Sequence, residues 1–250
     1  AEIVDHPGAK LLGDLIQESG LPPGVMNVII GGADVGRQLS SHPDVDRVSF
    51  TGSDGVGALI MEQAARNLAG VTLELGGKSP SIVMPDVDVA KVAVEMHLRW
   101  SRNAGQGCAA LARLLVHESR FDEFVEAGAS AFDQMVVGDP WDRATNIGPL
   151  IRPDHQARVQ SFITDSLAVG GRKLLEVTKP LPEKGWYVNP VLLGGLDHSA
   201  RACQEEIFGP IAVLVPFKDT EDAIRLANDT KYGLAANVWC NDPIEARRVA

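Results

Sequence analysis

The sequence predicts an α/β fold with a largely parallel sheet. Short apolar segments typical of buried strands alternate with longer segments whose apolar residues recur at helical spacing, through nearly all 250 residues. Clusters of glycine and proline, such as the one in residues 20–24, separate these segments. With 45% hydrophobic residues, the chain has enough apolar side chains to build a real core.

Each element follows from the spacing of its apolar residues and from the turn residues that end it. The first predicted helix carries Leu11, Leu12, Leu15 and Ile16 at helical spacing and ends before Gly20. The predicted helices span residues 6–19, 54–68, 87–100, 121–134, 155–167 and 220–228, with a short helix after residue 32 and a helix-like pattern up to residue 250. The predicted strands span residues 25–30, 45–50, 71–75, 81–84, 111–117, 173–177, 187–193, 211–216 and 235–240.

The composition excludes several classes of protein. A net charge of −10 with no block of basic residues argues against a nucleic-acid-binding surface. No apolar run approaches the ~18 residues of a membrane span, so no membrane partner is expected. The cysteines, Cys108, Cys203 and Cys240, are widely spaced and form no CxxC or His/Cys cluster. We therefore expect no metal site, and a reducing compartment, the cytoplasm.

The segment from Phe50 to Gly57 is a candidate phosphate-binding turn. An apolar strand ends at Phe50, small residues including Gly52 and Ser53 follow, and a helix begins. The free N–H groups and partial positive charge of a helix N-terminus suit a pyrophosphate. The segment is not a GxGxxG motif, and Asp54 would repel a phosphate. On local grounds an ordinary turn with Ser53 as the helix N-cap is the preferred interpretation.

Cys108 is a candidate nucleophile. Small residues flank it from Asn103 to Ala110 and leave room for a substrate and for backbone N–H groups near the thiol. The alternative is a buried, inert cysteine, which is more common among proteins.

Glu74 is a candidate general base because it lies between Leu73 and Leu75 on a predicted strand. Partial burial there would make its carboxylate a better base. The alternative is a glutamate at the end of a strand that points to solvent beside Lys78.

Glu206 and Phe208 form a candidate cofactor-binding pair near the C-terminal third of the chain. The Glu206 carboxylate could accept bonds from ribose hydroxyls, and Phe208 could form an apolar wall for a ring. The alternative is an acidic pair, Glu205 and Glu206, that ends a helix before a turn.

Taken together, these four segments resemble the aldehyde dehydrogenase superfamily, in its hydrolytic, NAD(P)-dependent form. They read FTGSDGVG, LELGGKSP, NAGQGCAA and EEIFGP in that order, and the resemblance covers essentially the whole chain. It implies the Rossmann-like parallel sheet of that family. Residues 1–75 would be the second half of the NAD(P)-binding domain, and residues 76–250 a catalytic domain that is incomplete at its C-terminus, with the seam at Gly76 and Gly77.

The resemblance also implies the chemistry. Cys108 matches the family nucleophile, which forms a thiohemiacetal with an aldehyde substrate and, after hydride transfer to the nicotinamide, a thioester. Glu74 matches the general base that activates a water to hydrolyse this thioester to the acid. Its presence argues against the coenzyme-A-acylating members of the family, in which another acceptor replaces water.

The remaining motif residues match cofactor ligands in the family. Gly52 and Ser53 match the pyrophosphate contact, Glu206 the ligand of the nicotinamide ribose, and Phe208 the residue packed near the same ring. Glu2 matches the acidic residue that holds the adenine ribose. An acid there favours NAD and would repel the 2′-phosphate of NADP, although NADP stays open.

Other features of the family lie outside residues 1–250 according to the resemblance. An asparagine that stabilises the oxyanion and a lysine at the adenine ribose would precede residue 1, and an oligomerisation segment would follow residue 250. We therefore expect a homo-oligomer for the full-length protein, and little or no activity from this segment alone. The alternative functions are a non-catalytic module that binds a nucleotide or partner, and a cofactor-free esterase.

Ser101 and Arg102 suggest a preference among substrates. They fall where relatives often carry aromatic residues in the substrate tunnel, which would favour a polar or acidic aldehyde. The preferred interpretation of Arg102 is a solvated residue at a helix end.

Overall fold

The computed structural model describes residues 7–250, with side chains from Leu11 onward. The chain divides into two compact units between Leu75 and Gly76. The assignment of cofactor binding to the first unit and of catalysis to the second stays a prediction.

The first unit is built around a pair of parallel strands. Its elements are α1 (Pro7–Glu18), α2 (Ala33–Ser41), β1 (Arg47–Gly52), α3 (Asp54–Ala65) and β2 (Gly70–Leu75). In the parallel pair, Phe50 of β1 lies opposite Leu73 of β2, and Thr51 lies opposite Glu74. Helix α3 connects the two strands and packs against both. This β–α–β arrangement confirms the α/β prediction for this part of the chain.

The strand predicted over residues 25–30 is wrong. The segment is irregular, and its apolar side chains are largely exposed, with Val25 66% and Ile29 62% accessible. A strand needs a neighbour to satisfy its backbone N–H and C=O groups. Within residues 7–75, β1 and β2 pair only with each other. The apolar sequence of residues 25–30 therefore predicted a buried strand, but no described residue pairs with this segment or buries it.

The second unit is built on a single sheet that is mostly parallel. Its strands are β3 (Pro80–Val83), β4 (Arg113–His117), β5 (Arg172–Glu176), β6 (Val191–Gly194), β7 (Ile211–Phe217) and β8 (Asn237–Trp239). They are arranged in the order β5-β6-β7-β4-β3-β8. The β5–β6 pair is antiparallel, and the other four pairs are parallel. The predicted fold class is confirmed.

The helices of the second unit lie close to their predicted positions. They are α4 (Val89–Trp100), α5 (Phe121–Gln134), α6 (Pro153–Ala168), α7 (Arg201–Gln204), α8 (Thr220–Asn228) and α9 (Pro243–Val249), with 3₁₀ helices at Arg102–Gly105 and Glu118–Arg120. Asp88, Asp219 and Asp242 accept backbone N–H groups at the starts of α4, α8 and α9, which fixes where these helices begin. Helix α7 was not predicted, because four residues are too few to show a helical period.

The burial of the strands in the second unit explains why their sequences are continuous apolar runs. All residues of β3 and β6 are buried, as is typical of parallel strands that are covered on both faces. Helices α4 and α5 pack together through a buried aromatic cluster of His97, Trp100, Phe124 and Phe132.

The strand predicted over residues 187–193 is shorter than expected. Tyr187 and Val188 are buried, but the regular strand begins only at Val191. Pro190 has no N–H to donate to a sheet ladder, so the apolar run could not be paired along its whole length.

Within residues 7–250, no helix is both long and apolar enough to cross a bilayer. The side chains described from Leu11 onward contain no group of three or more His, Cys, Asp or Glu residues arranged to hold a metal ion.

Candidate active site

Three of the predicted chemical segments lead into three neighbouring strands of the second unit. Residues 76–79 precede β3, residues 103–112 precede β4, and residues 205–210 precede β7. These strands are adjacent and parallel in the order β7-β4-β3, so their amino ends lie at one edge of the sheet. The topology therefore places three segments at the same edge of the sheet. They are the glycine segment (76–79), the cysteine segment (103–112) and the Glu206 segment (205–210).

Gly76 and Gly77 allow these segments to approach closely. The backbone N–H of Gly77 donates to Oε1 of Glu206 at 3.2 Å. A Cβ atom on Gly77 would lie 2.9 Å from the carbonyl oxygen of Cys108, and a Cβ atom on Gly76 would overlap the Glu206 carboxylate. Because neither Gly76 nor Gly77 has a side chain, the Cys108 carbonyl and the Glu206 carboxylate can both lie beside Gly77.

The three cysteines differ in accessibility. Cys108 is exposed, Cys203 is buried, and Cys240 is partly buried. Burial raises the pKa of the Cys203 thiol to about 11, and desolvation also raises the pKa of Cys240. A raised pKa disfavours the thiolate, which is the nucleophilic form. The alternative of a buried, inert cysteine at position 108 is therefore wrong, and it describes Cys203 instead.

The loop before Cys108 has an uncommon backbone conformation. Asn103, Ala104 and Gly105 have φ values of 52°, 54° and 70°, which is the left-handed region. Consecutive left-handed residues other than glycine are costly, and such strain concentrates at functional sites. A Cβ atom on Gly105 would overlap the Gly209 carbonyl, so this loop is also in close contact with the Glu206 segment.

Gln106 ties the same loop to residues 149–151. Its Nε2 donates to the Pro149 carbonyl at 3.2 Å, and its Oε1 accepts the Ile151 N–H at 3.1 Å. Sequence reasoning missed this role because an amide bonded to distant backbone groups leaves no local pattern.

The adjacent glutamates 205 and 206 have different partners. The Glu205 carboxylate lies 3.2 Å from Nε of Arg201 and 3.9 Å from Arg158. The Glu206 carboxylate accepts from Gly77. Helix α7 ends at Gln204, so Glu205 corresponds to the acidic residue at a helix end that the alternative interpretation described. Glu206 is the member of the pair that reaches the glycine segment at Gly76 and Gly77.

Phe208 follows Glu206 in a left-handed conformation, with φ of 57°. The residue is 36% exposed, which leaves an apolar surface available beside Glu206. The carbonyl oxygen of Phe208 accepts from Nε2 of His155 at 2.6 Å.

Lys78 and Arg113 are buried cations that sequence reasoning did not identify. Arg113 is fully buried at the start of β4 and donates to the carbonyl oxygens of Lys78, Leu226 and Ala227 at 2.6–3.0 Å. Burial lowers the pKa of the Lys78 amine to about 7, and its Nζ has no hydrogen-bond partner among the described side chains and backbone. The position of Arg113 inside the apolar run 109–116 could have indicated a buried cation from the sequence.

In the first unit, Ser53 acts as the N-cap of α3. Its hydroxyl accepts the N–H of Val56 at 3.4 Å, which agrees with the local interpretation of this turn. Gly52 lies against the ring of Phe50, which a Cβ atom at position 52 would overlap. The helix N-terminus that could contact a pyrophosphate is present, it is capped by Ser53, and pyrophosphate binding stays a prediction.

Glu74 is exposed on β2, while the neighbouring Leu73 and Leu75 are partly buried. The expected partial burial of Glu74 is therefore wrong, because alternate residues of a strand face opposite sides. Lys78, which we expected beside it in solvent, is buried. The predicted role of Glu74 as a base is not affected by its exposure, since a base must reach water.

Glu2, the predicted ligand of the adenine ribose, lies outside the described residues. Ser101 is buried, and its hydroxyl donates to the His97 carbonyl at 2.7 Å. Arg102 is exposed at the end of α4, which fits the solvated position that we preferred. A role for this pair in substrate preference stays a prediction.

The sequence and the fold are similar to those of known proteins. The model of the aldehyde dehydrogenase family matches residues 7–250. The geranial dehydrogenase of Castellaniella defragrans is 39% identical over 245 residues, which are 96% of this chain and 50% of that protein. The chloroplastic betaine aldehyde dehydrogenase of Atriplex hortensis is 40% identical over 242 residues, which are 95% of this chain and 48% of that protein.

Solved structures of aldehyde dehydrogenases have a similar fold. A mutant of aldehyde dehydrogenase C from Pseudomonas syringae, complexed with NAD⁺ and octanal, has a TM-score of 0.93 at 38% identity, over 97% of this chain and 50% of that one. An NAD-dependent aldehyde dehydrogenase from Sinorhizobium meliloti has a TM-score of 0.92 at 37% identity, over 97% and 48%. The chain thus spans about half the length of the relatives it matches.

Proposed function

Because the chain belongs to the aldehyde dehydrogenase family, we propose that the full-length protein oxidises an aldehyde to a carboxylic acid with NAD. Relatives that act on geranial and betaine aldehyde, and a structural neighbour that holds NAD⁺ and octanal, support this reaction class. A homo-oligomer in the cytoplasm, where reducing conditions would keep Cys108 free, is part of the proposal.

Cys108 would be the nucleophile. Its thiolate attacks the carbonyl carbon of the aldehyde, a C–S bond forms, and the carbonyl oxygen becomes an oxyanion. Exposure of the thiol and the small residues on both sides of it give the aldehyde access. Bound NAD would accept the hydride from the former aldehyde carbon. That carbon then remains attached to Cys108 as a thioester.

Glu74 would be the general base. Its carboxylate takes a proton from water, and the resulting hydroxide attacks the thioester carbon. The C–S bond breaks, the carboxylic acid leaves, and Cys108 returns to the thiolate. The match of Glu74 to the general base of the family supports this role, and its exposed position on β2 is compatible with contact with water.

The residues present fit a dinucleotide. Gly52 and Ser53 lie at the N-terminus of α3, and a helix N-terminus suits a pyrophosphate. Glu206 carries a carboxylate that can accept from ribose hydroxyls, and the partly exposed Phe208 ring lies two residues away. The Glu206 carboxylate lies in the space that a side chain at Gly76 would fill, so a glycine at position 76 is needed for it to lie there.

The observation that carries the proposal is the packing around Gly77. Its N–H binds Glu206, and its missing side chain admits the Cys108 carbonyl. The proposed nucleophile and the proposed ribose ligand, which are far apart in the sequence, thus meet at one residue, as a reaction between substrate and cofactor requires.

The test is NADH formation by the full-length protein with a panel of aldehydes, beside its Cys108→Ala variant. Cys203→Ala is the matched control, because that thiol is buried and outside the proposed chemistry. We expect turnover that is lost in Cys108→Ala and kept in Cys203→Ala. A folded full-length protein that turns over no aldehyde with NAD or NADP would support the non-catalytic binding module instead.

A further inference from the structure

One face of helix α6 binds the backbone of the segment that carries Glu206. Arg158 donates to the carbonyl oxygen of Glu206 at 2.7 Å and to that of Ile207 at 2.9 Å. His155 donates to the carbonyl oxygen of Phe208 at 2.6 Å. Residues three apart on a helix share a face, so two side chains of α6 bind three consecutive carbonyl groups.

From this geometry we infer that Arg158 and His155 are positioning residues, which hold Glu206 and Phe208 in place for the cofactor. The inference rests on the proposed function, since it assigns these residues to the cofactor half of the reaction. Neither residue belongs to a motif that the sequence analysis identified.

The planar guanidinium of Arg158 suits two neighbouring acceptors better than any other side chain does. It also packs over the ring of Phe162 on the next turn of α6, 4.9 Å from the ring centre, which restricts its orientation. Its bonds to carbonyl oxygens are charge-assisted and therefore stronger than those between neutral groups.

Phe208 needs external support because its backbone is left-handed, a conformation that a residue with a large side chain rarely adopts. The hydrogen bond from His155 to the Phe208 carbonyl acts on this residue, and the two rings also meet edge to face at 6.1 Å. Loss of either α6 side chain would let the segment relax and would move Glu206 or Phe208.

The cysteine segment touches the Glu206 segment where Gly105 meets Gly209, but it is also held independently by the contacts of Gln106 with residues 149–151. Displacement of the Glu206 segment should therefore weaken NAD binding more than aldehyde binding. A purely structural role for Arg158 would instead lower stability and would affect both substrates alike.

The test compares Arg158→Met with Arg201→Met in the full-length protein. Arg201 is the matched control, since its guanidinium packs over the same Phe162 ring at 3.9 Å but binds Asp165, Ser161 and Glu205 rather than the carbonyl groups of 206–208. The KM values for NAD and for an aldehyde, and the midpoint of thermal unfolding, are measured for each variant.

We expect Arg158→Met to raise the KM for NAD about tenfold, as expected for the loss of charge-assisted bonds at a partly exposed site, with the KM for the aldehyde nearly unchanged. Arg158→Lys should recover part of the loss, because an ammonium can still donate to one carbonyl. His155→Gln, which keeps a donor, should be milder than His155→Leu. Equal KM values for NAD in the two methionine variants, or parallel changes in both KM values, would overturn the inference.

The wild-type protein separates this inference from the proposed function. If the wild type turns over aldehyde with NAD and Arg158→Met behaves as Arg201→Met does, the positioning role is wrong while the function stands. If the wild type shows no turnover and no NAD binding, the proposed function fails and the inference fails with it.

Discussion

The backbone N–H of Gly77 is joined to the carboxylate of Glu206 by a hydrogen bond of 3.2 Å between residues 129 positions apart. The same glycine has no room for a side chain, because the carbonyl oxygen of Cys108 lies against it. The relative positions of Cys108 and Glu206 therefore depend on a residue that carries no functional group.

Replacement of Gly77 by alanine should disturb both segments. The added methyl would lie 2.9 Å from a backbone oxygen, which cannot rotate away as a side chain can, so the Cys108 segment must shift. We expect a loss of roughly 1–3 kcal/mol in the free energy of unfolding, as for other overpacked sites. Turnover should also fall, measured as NADH formation at saturating aldehyde and NAD.

Gly36→Ala is the control for this variant. Gly36 lies in α2, and a Cβ atom there would meet nothing within 4 Å among the described residues. Alanine should therefore stabilise the protein by roughly 0.5–1 kcal/mol through the lower entropy of the unfolded chain, with turnover unchanged. Similar stability and activity in Gly77→Ala and Gly36→Ala would contradict the packing described around Gly77.

Arg113→Met should be among the most destabilising substitutions in the second unit. The variant leaves the buried carbonyl groups of Lys78 and Leu226, and the partly buried one of Ala227, without their donor. At about 1 kcal/mol or more for each unsatisfied group, we expect a loss of roughly 3 kcal/mol or more, measured by denaturant unfolding. Arg152→Met, which breaks only an exposed pair with Asp154, should change stability by less than about 1 kcal/mol. Equal effects of the two substitutions would refute the structural role of Arg113.

Much of the fold could be predicted because it depends on local periodicity. Helix α5 occupies its predicted range, 121–134, since its apolar residues recur at helical spacing between a strand and a loop. The prediction of a strand at 25–30 was wrong because a strand depends on more than its own local pattern. An apolar run indicates burial, but a strand also needs a partner, and the sequence does not say which segment will supply it.

The site could be predicted only where small motifs carry chemistry. Local patterns made Cys108, Glu74 and Glu206 candidates, and their proposed roles came from the order of their motifs, which resembles that of one family. His155 and Arg158 were not identified, because a side chain that binds distant carbonyl groups imposes no pattern on its own segment. The division of roles between Glu205 and Glu206 likewise depends on arginines that are near only in the folded chain.

Lys78→Met should stabilise the protein near neutral pH. Burial holds the pKa of Lys78 at about 7 in the folded chain, below its usual 10.5. Between these pH values the unfolded chain binds more protons, so the wild type gains stability as pH rises, by about 1.4 kcal/mol per pH unit. The advantage of the variant should thus be largest at and below pH 7 and should shrink towards about pH 10.

Urea unfolding of both proteins at several pH values checks this prediction, since groups common to both cancel in the difference. A difference that does not change from pH 7 to 10 would mean that Lys78 keeps its ordinary affinity for protons in the folded protein.

His97 should make the protein sensitive to acid. It is fully buried, and burial lowers its pKa from 6.5 to about 3. Its Nδ1 accepts from the Trp100 indole at 3.0 Å, so the neutral ring is the form built into the core. Below pH 6.5 the unfolded chain takes up a proton that the folded chain does not, and stability is lost as pH falls, by about 1.4 kcal/mol per unit.

His97→Gln keeps an acceptor for Trp100 but cannot take up this proton. The variant should be less stable than the wild type at pH 7, because the packing around the ring with Phe124 and Phe132 is lost. Its stability should then fall less steeply with acid, so that the gap between the two proteins narrows from pH 6.5 to 4. Unfolding curves that stay parallel over this range would show that His97 is not the group responsible.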